Sequence, residues 1–417
     1  MSNKLPKIAL GISIIWVIAQ IVLIVYFWGY PQKDDAGAYI SRALRCFSNG
    51  EWYLMMEDVY STYIVTPGLI NFLILQLRIF GTVNFNAILN LFLNIAMLLE
   101  VYYLGKKFFS ERIGLISVII FCLLYSNLFI VLGANTENSF LFLCLSALCL
   151  VLSGKWKYVI VAALLFALAN WIRPLAIIYI FASIVYFFIT KAKFYNYIAL
   201  IIPYIFVLFI IGTVTEKKIG YFVYQSTTSG YNLLMTAHNN ADGYVNHSIY
   251  EEGNIGFIEN GNSVTFAEKD SIWKIRSFKW IKEYPVRFMT LYLKKMLIVY
   301  STDTWSNSSH WGVNSGLLSG LINDASKFSI ESLVNIIKRG ASSIPYYVTM
   351  AFFFYALWIN RSKIHNVKLI FFVIFITGNI ITCIFPAITR YKYPFIFVII
   401  IYAAWGIDTL LLARERK

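Results

Sequence analysis

The run IALGISIIWVIAQIVLIVYFW fills residues 8–28 without one charged side chain. A helix of that length rises about 30 Å, the hydrocarbon thickness of a bilayer. It leads straight into Gly29-Tyr30-Pro31-Gln32-Lys33 with no small-residue cleavage signature, so it reads as a retained anchor and not as a removed signal peptide. On the far side stand Asp34 and Asp35, opening the segment Asp34-Asp35-Ala36-Gly37-Ala38-Tyr39. Carboxylates at the mouth of a membrane span are costly and therefore informative.

The rest of the chain has the same character. Its 417 residues are 59% hydrophobic, 18% aromatic and 13% charged, with a mean hydropathy of +0.67. A soluble domain carries about a quarter charged residues. The composition therefore predicts an all-α polytopic membrane protein. The formal net charge of +14 is read as topology and headgroup contact, not as nucleic-acid binding. Four cysteines (Cys122, Cys144, Cys149 and Cys383) lie in apolar runs and Cys46 stands alone, so neither a disulfide framework nor a zinc spacing is present.

Apolar stretches predict about ten spans, near 8–28, 84–104, 113–132, 138–154, 158–172, 174–190, 195–214, 345–360, 369–386 and 394–412. Lys4, Lys7, Lys106, Lys107, Arg112, Lys155, Lys157, Lys191 and Lys193 fall in short connections on one side. Arg361, Lys363, Lys368, Arg414, Arg416 and Lys417 join them. The positive-inside rule makes this side cytoplasmic, with both termini inside. Residues 63–80, broken by Pro67, Gly68, Gln76 and Arg78, read as a helix lying in the outer interface.

Three regions follow. Residues 1–214 form an N-terminal membrane region carrying the first outer loop, 29–83. Residues 215–344 form a long outer segment, and 345–417 the C-terminal membrane helices. Within the outer segment, 226–262 is rich in Gly, Asn, Ser and Thr and reads as loop. A helical pattern then runs from Glu268 to Tyr300, with Ile272, Ile275, Phe278 and Trp280 or Ile281 recurring at three to four. Pro285 divides it into two helices. No internal repeat of fixed period is present, unlike transporters built from duplicated halves.

Four solitary charges stand out on the outer side. From Ala36 onward, Ile40, Ala43, Leu44 and Phe47 share one helix face, and Asp35, Tyr39 and Arg42 a neighbouring one. The helix can thus aim a carboxylate into a cavity, or either aspartate can simply cap its first turn. Glu137, in the turn Gly133-Ala134-Asn135-Thr136-Glu137-Asn138, has no basic residue nearby in sequence. It needs a distant partner, or else caps the next helix. Arg173, in Trp171-Ile172-Arg173-Pro174, can clamp a phosphate bidentately or snorkel to headgroups. Arg390 lies in Thr389-Arg390-Tyr391-Lys392-Tyr393-Pro394. Lys294 and Lys295, after Pro285, can also approach an anion.

Acids and lone arginines gathered at one membrane edge suit a substrate that is half lipid and half phosphate. His238, His247 and His310 match no metal spacing, and the Asn-X-Ser triplets at Asn246 and Asn307 are too short to carry weight.

These residues resemble a known family. Asp35-x-x-x-Tyr39-x-x-x-Ala43 followed by Asn49-Gly50-Glu51-Trp52 is similar to the first outer loop of the GT-C integral-membrane glycosyltransferases. The branch is the bacterial one related to protein mannosyltransferases and lipid A aminoarabinose transferases. Thr66-Pro67-Gly68 with Phe80-Gly81, Leu104-Gly105-Lys106-Lys107-Phe108-Phe109, Thr136-Glu137 and Ile172-Arg173-Pro174 follow in order. Tyr231-Asn232-Leu233 with Asn239, and Arg390-Tyr391-x-x-Pro394, complete the match, which spans nearly the whole chain.

The resemblance implies transfer of a sugar from a polyprenyl-phosphate donor to a glycan, lipid or protein acceptor outside the cytoplasm of a bacterial plasma membrane. Asp35 matches the family's catalytic acid. Related enzymes carry an Asp-Glu pair at this point, whereas here Ala36 follows Asp35 and the pair is Asp34-Asp35. Asp34 thus becomes a candidate to share the role, and the departure does not itself call for a metal; Glu137 could position the acceptor or hold a divalent cation. Tyr39, Glu137, Arg173, Lys294, Arg390 and Tyr391 become candidate substrate-binding residues. The rival readings are a lipid or glycan transporter or flippase, with ionisable groups near the bilayer midplane, and an O-antigen polymerase or ligase, which does not need Asp35.

Overall fold

The computed structural model describes residues 4–61, 63–259, 261–306, 330–365 and 367–415. Among these the chain forms helices and no strands. α1 (Leu5–Tyr26) is followed by α2 (Asp34–Ser48), the one-turn α3 (Asp58–Ser61) and α4 (Pro67–Phe80). Then come α5 (Phe85–Phe108), α6 (Glu111–Leu123), α7 (Tyr125–Phe129), α8 (Thr136–Val151), α9 (Trp156–Ile172), α10 (Ala176–Ile189) and α11 (Phe194–Ile219). The following part of the chain carries α12 (Ser229–Leu234), α13 (Phe266–Glu283) and α14 (Pro285–Val299). α15 (Ile330–Ile359), α16 (Val367–Thr382), a 3-10 turn over Thr389–Phe395 and α17 (Ile396–Glu415) complete the chain.

All ten stretches predicted to span are helical. Among the described residues five helices are long and apolar enough to cross a membrane: α1, α5, α11, α15, and α17 with its leading 3-10 turn. A sixth is the pair α6 and Tyr125–Leu132, bent by 67°. α8, α9, α10 and α16 are shorter apolar helices. At 1.5 Å per residue they rise about 21–26 Å. The chain is an all-α membrane protein. α15 begins at Ile330 and carries Pro345 inside it, so it starts well before the predicted boundary at residue 345.

α17 is the axis of the core. Its residues Ile396 to Ala404 are all buried, packed within one cluster that also draws on α5, α6, α8, α9, α10, α15 and α16. A helix that is apolar all round belongs at such a centre. Small residues allow close crossings: a Cβ added to Gly105 of α5 would meet the Cα of Gly114 in α6 at 2.9 Å, and one on Gly406 of α17 the Phe352 carbonyl oxygen of α15 at 2.5 Å.

Two helices bury a different face from the one their apolar periodicity predicts. In α2 the buried residues are Ala36, Tyr39, Ala43 and Cys46, while Leu44 and Phe47 are exposed. In α13 they are Phe266, Asp270, Trp273, Ser277 and Trp280, while Ile275 and Phe278 are exposed. The predicted division at Pro285 is present, with α13 opened by a capping box of Thr265 and Glu268. Exposed Ile275 and Phe278 continue into exposed Val286, Met289, Leu293 and Leu297 on α14. Such an apolar stripe suits helices lying in a membrane interface.

Candidate active site

The site is assembled at the break between α6 and α8. α7 turns sideways at Leu124, and the carbonyls freed by that turn need donors, since hydrocarbon offers none. A row of asparagines four apart on α5 supplies them. Asn94 Nδ2 donates to the Asn127 carbonyl at 2.6 Å, and Asn90 Nδ2 to those of Val131 and Gly133 at 3.3 and 3.0 Å. Asn86 reaches the Gly133 carbonyl at 3.4 Å, and Asn138 donates back to Asn90 Oδ1 at 3.1 Å. This lattice fixes the start of α8, where Thr136 and Glu137 sit.

Arg173 comes from the end of α9. There Gly68 of α4 approaches closely: a Cβ on it would meet the Ile172 nitrogen and the Trp171 carbonyl carbon at 2.9 Å. Arg173 Nη1 pairs with Glu137 Oε1 and donates to Thr136 Oγ1 at 3.1 Å. Its guanidinium carbon stands 5.1 Å from the centre of the Tyr391 ring, within cation–π range.

Arg390 is held by its 3-10 turn, which a buried lysine anchors. Lys392 Nζ donates to the carbonyls of Val299 at 3.2 Å, Thr389 at 3.0 Å, and Thr302, and lies 3.8 Å from Asp303 Oδ1. Asp303 Oδ2 accepts from the Ser126 amide at 3.2 Å, tying the turn to α7. Tyr179 donates to the Pro394 carbonyl. Thus oriented, Arg390 pairs through Nη2 with Asp35, and its Nε stands 3.5 Å from Glu137 Oε1.

The four solitary charges therefore form one alternating chain: Asp35, Arg390, Glu137, Arg173. Glu137 is 1% exposed, whereas the Asp35 side chain is 41% exposed. Asp35, Tyr39, Arg173, Arg390 and Tyr391 line one cavity of about 390 Å³, with Tyr63, Thr66, Tyr231 and His247 on its other walls. Burial, reinforced by the Asp35 charge, pushes the Tyr39 hydroxyl well above its ordinary range. The Tyr39 hydroxyl therefore keeps its proton.

Asp34 and Lys294 stand outside this arrangement. Asp34 is exposed with φ at +53° and does not line the cavity, and neither aspartate caps α2 through its side chain. Lys294 is exposed, 5.9 Å from the Tyr244 ring, while Lys295 is buried and donates to the Ile384 carbonyl at 2.8 Å. His310 and the triplet at Asn307 lie outside the described residues.

Sequence reasoning missed the asparagine row and the Lys392–Asp303 anchor. The signal for the first was the spacing of Asn86, Asn90 and Asn94 by four inside an apolar helix. It also passed over Glu100, which lies within α5 and accepts a hydrogen bond from Ser146.

The donor set does not suit a divalent cation. Both site carboxylates are already paired with guanidiniums, and the described residues contain no group of three or more His, Cys, Asp or Glu that could hold a metal. A cation would have to displace two arginines from a site whose charges already balance.

Comparison with known proteins bears on this geometry. Residues 65–215 match the family described as dolichyl-phosphate-mannose-protein mannosyltransferase. No curated protein matches the sequence. Among solved structures, the Archaeoglobus fulgidus oligosaccharyltransferase tethered to an acceptor peptide containing the NVT sequon is similar at 13% identity and a TM-score of 0.50. The alignment covers 100% of this chain and 52% of that one. The apo form of the same archaeal enzyme aligns at 13% identity and TM-score 0.49, covering 98% and 51%. The chain thus spans about half the length of the solved structures it matches, and at this identity the likeness is one of fold. The resemblance read from the order of motifs, to membrane glycosyltransferases of the GT-C class, is matched by a family of that class over residues 65–215.

Proposed function

We propose that the chain transfers a sugar from a polyprenyl-phosphate donor to an acceptor on the outer side of a bacterial plasma membrane. The observation that carries this reading is the chain of charges at the cavity. Two guanidiniums from distant segments flank the buried Glu137, and one of them, Arg390, also holds the partly exposed Asp35 that lines the cavity. The domain reading goes with it: 1–214 and 345–417 form the membrane body with both termini inside, and 215–344 covers the outer site.

A phosphate entering the cavity competes with Asp35 for Arg390, because a guanidinium binds either oxyanion in the same forked geometry. Asp35 is then released toward the acceptor. In the displacement, the acceptor oxygen bonds to the anomeric carbon and gives its proton to Asp35. The bond from that carbon to the phosphate oxygen breaks, and its electron pair leaves with the polyprenyl phosphate. A single displacement inverts the anomeric centre, as in inverting glycoside chemistry. Charge developing on the leaving phosphate is met by Arg173 and Arg390, both prepositioned by Glu137. Asp34 and Lys294 have no step in this scheme.

A second groove supports a lipid-linked donor. It measures about 910 Å³ and is lined mainly by apolar side chains, including Phe72, Leu75, Trp171, Ile210 and Val214. Trp171 lies two residues before Arg173, so an isoprenoid chain in the groove reaches the arginine pair with its phosphate. A transporter would instead carry its charged cavity near the bilayer midplane; these charges gather where α2, α8, α9 and the 3-10 turn meet.

The test is mass spectrometry of lipids co-purifying with wild type beside Arg173→Ala. Polyprenyl phosphate enriched on wild type and depleted on the variant is the expected result. Bulk phospholipid alone on both would remove the phosphate clamp and return the transporter reading.

A further inference from the structure

Outside the catalytic cavity lies a second, more open one of about 710 Å³, between the loop 247–263 and the start of α13. Tyr231 and His247 line both cavities. They form a shared wall, joined by a 2.8 Å hydrogen bond between Tyr231 Oη and His247 Nδ1.

The outer cavity is built from aromatic faces. Tyr231 stacks nearly parallel to Tyr250 with ring centres 4.4 Å apart, and to Tyr63 at 5.5 Å. Trp273 lies 5.4 Å from Tyr231 and 4.7 Å from Tyr250. The cluster is held rigid from behind. Trp273 Nε1 donates to the Gly256 carbonyl at 2.7 Å, and Arg276 Nη1 to the carbonyls of Ile255 and Phe257 at 2.6 and 2.9 Å. The rim is polar, with His247, Ser263 and Lys269.

Aromatic faces ringed by hydrogen-bonding groups match the amphipathic shape of a pyranose. Its axial C–H bonds dock on a ring face while its hydroxyls seek partners around the edge. A peptide can also dock between aromatic rings, so a peptide ligand stands beside the saccharides in the test.

We infer that this outer cavity binds a saccharide of the acceptor, so that the chain glycosylates a glycan-bearing acceptor and not a bare polypeptide. The inference rests on the transferase reading. The acceptor ring seats against Tyr250 and Phe257, with the buried Trp273 packed behind Tyr250, and its next unit reaches past Tyr231 and His247 toward Asp35. Because stacking tolerates many pyranoses, the cavity holds simple oligosaccharides weakly without the donor.

The test uses the full chain in lipid nanodiscs free of glycoside detergent. Saturation-transfer NMR is run with mannotriose, chitotriose, maltotriose and a Ser/Thr-rich hexapeptide. Binding of polyprenyl phosphate is measured on the same preparations. At least one trisaccharide is expected to bind saturably. Phe257→Ala and Lys269→Ala should each weaken it at least tenfold while polyprenyl phosphate still binds.

Polyprenyl phosphate binding with no trisaccharide bound would overturn the inference and leave the transferase reading standing. So would saturable binding of the hexapeptide alone. Trisaccharide binding lost in Arg173→Ala but kept in Phe257→Ala and Lys269→Ala would move the sugar to the catalytic cavity and overturn it as well. Trisaccharide binding without polyprenyl phosphate would remove the transferase reading, and loss of both ligands would remove both proposals.

Discussion

Arg390 holds Glu137 and Asp35 at once: its Nε stands 3.5 Å from Glu137 Oε1, and its Nη2 pairs with Asp35, 355 residues earlier in the chain. One guanidinium thus ties a buried acid to a half-exposed one, and the two acids differ in what their loss costs. Removing Glu137 strips its counter-charge from Arg173 and leaves two largely buried guanidiniums facing each other. Breaking a buried pair in this way costs about 3–5 kcal/mol. Asp35→Asn removes a partner that water can replace, at a cost of about 1 kcal/mol or less. Thermal unfolding in one detergent should therefore show a much larger fall in Tm for Glu137→Gln than for Asp35→Asn. Equal falls would contradict the alternating chain.

Catalysis should rank the two residues differently. Asp35 is the one carboxylate of the chain of charges that lines the cavity, so Asp35→Asn should lower transfer by about 100- to 10,000-fold, the usual loss for a general base. Binding of polyprenyl phosphate should persist. The neighbouring Asp34 is exposed and sits at φ +53°, where glycine is relaxed and other residues are strained by about 1 kcal/mol or more. Asp34→Gly should therefore keep transfer activity and raise Tm by a few degrees. Loss of activity in Asp34→Gly would give Asp34 a share of the chemistry.

The residues of the site were legible in the sequence, but not their pairing. Glu137 and Arg173 stood out as lone charges in apolar surroundings, Asp35 as one of an acidic pair at the mouth of the first span, and Arg390 as an arginine at a span end, where a charge must find a partner. Which partner each one finds depends on how α2, α8, α9 and the 3-10 turn pack. The faces of α2 and α13 were misjudged for a related reason. In water the larger apolar side chains mark the buried face, but beside a bilayer Leu44, Phe47, Ile275 and Phe278 can stay outside. Ala36, Ala43, Cys46 and Ser277 are small enough to pack inward, as at other helix contacts in membranes. Lys392 was hidden by its company: among tyrosines at a span end it reads as an interfacial anchor, yet it is fully buried.

Asn90 shows how far the support of Glu137 reaches. It donates to two carbonyls of the broken segment and accepts from Asn138. Asn90→Leu therefore takes the side-chain donor from the Val131 carbonyl, while the Gly133 carbonyl keeps Asn86 and Asn138 keeps the Asn90 carbonyl. A buried carbonyl left without its donor costs about 1–3 kcal/mol. Asn90→Leu should lower Tm strongly and reduce transfer along with it, although it touches no substrate. Asn90→Asp sets a buried carboxylate against the same two carbonyl oxygens and should lower Tm at least as far as Leu. An Asn90→Leu protein with the wild-type Tm would show that the break at Leu124 is supported in some other way.

Lys295 yields a prediction about pH. It is buried on α14, donates to the Ile384 carbonyl at 2.8 Å, and lies 5.1 Å from the Phe288 ring. Burial pushes its ammonium down to about 8, with the nearby Cys383 offsetting only part of the effect. The unfolded chain holds this proton up to about 10.4. Between those values the unfolded state binds more protons than the fold, so stability rises with pH from about 8 to about 10.4 and is flat below. The whole rise is about 3 kcal/mol. Lys295→Met should remove it and be more stable than wild type at pH 7, because the Ile384 carbonyl still accepts from Thr236 at 3.1 Å. Thermal unfolding of both proteins at pH 7 and pH 9.5 decides the matter. The gap between them should narrow as pH rises, and parallel curves would mean that water reaches the ammonium.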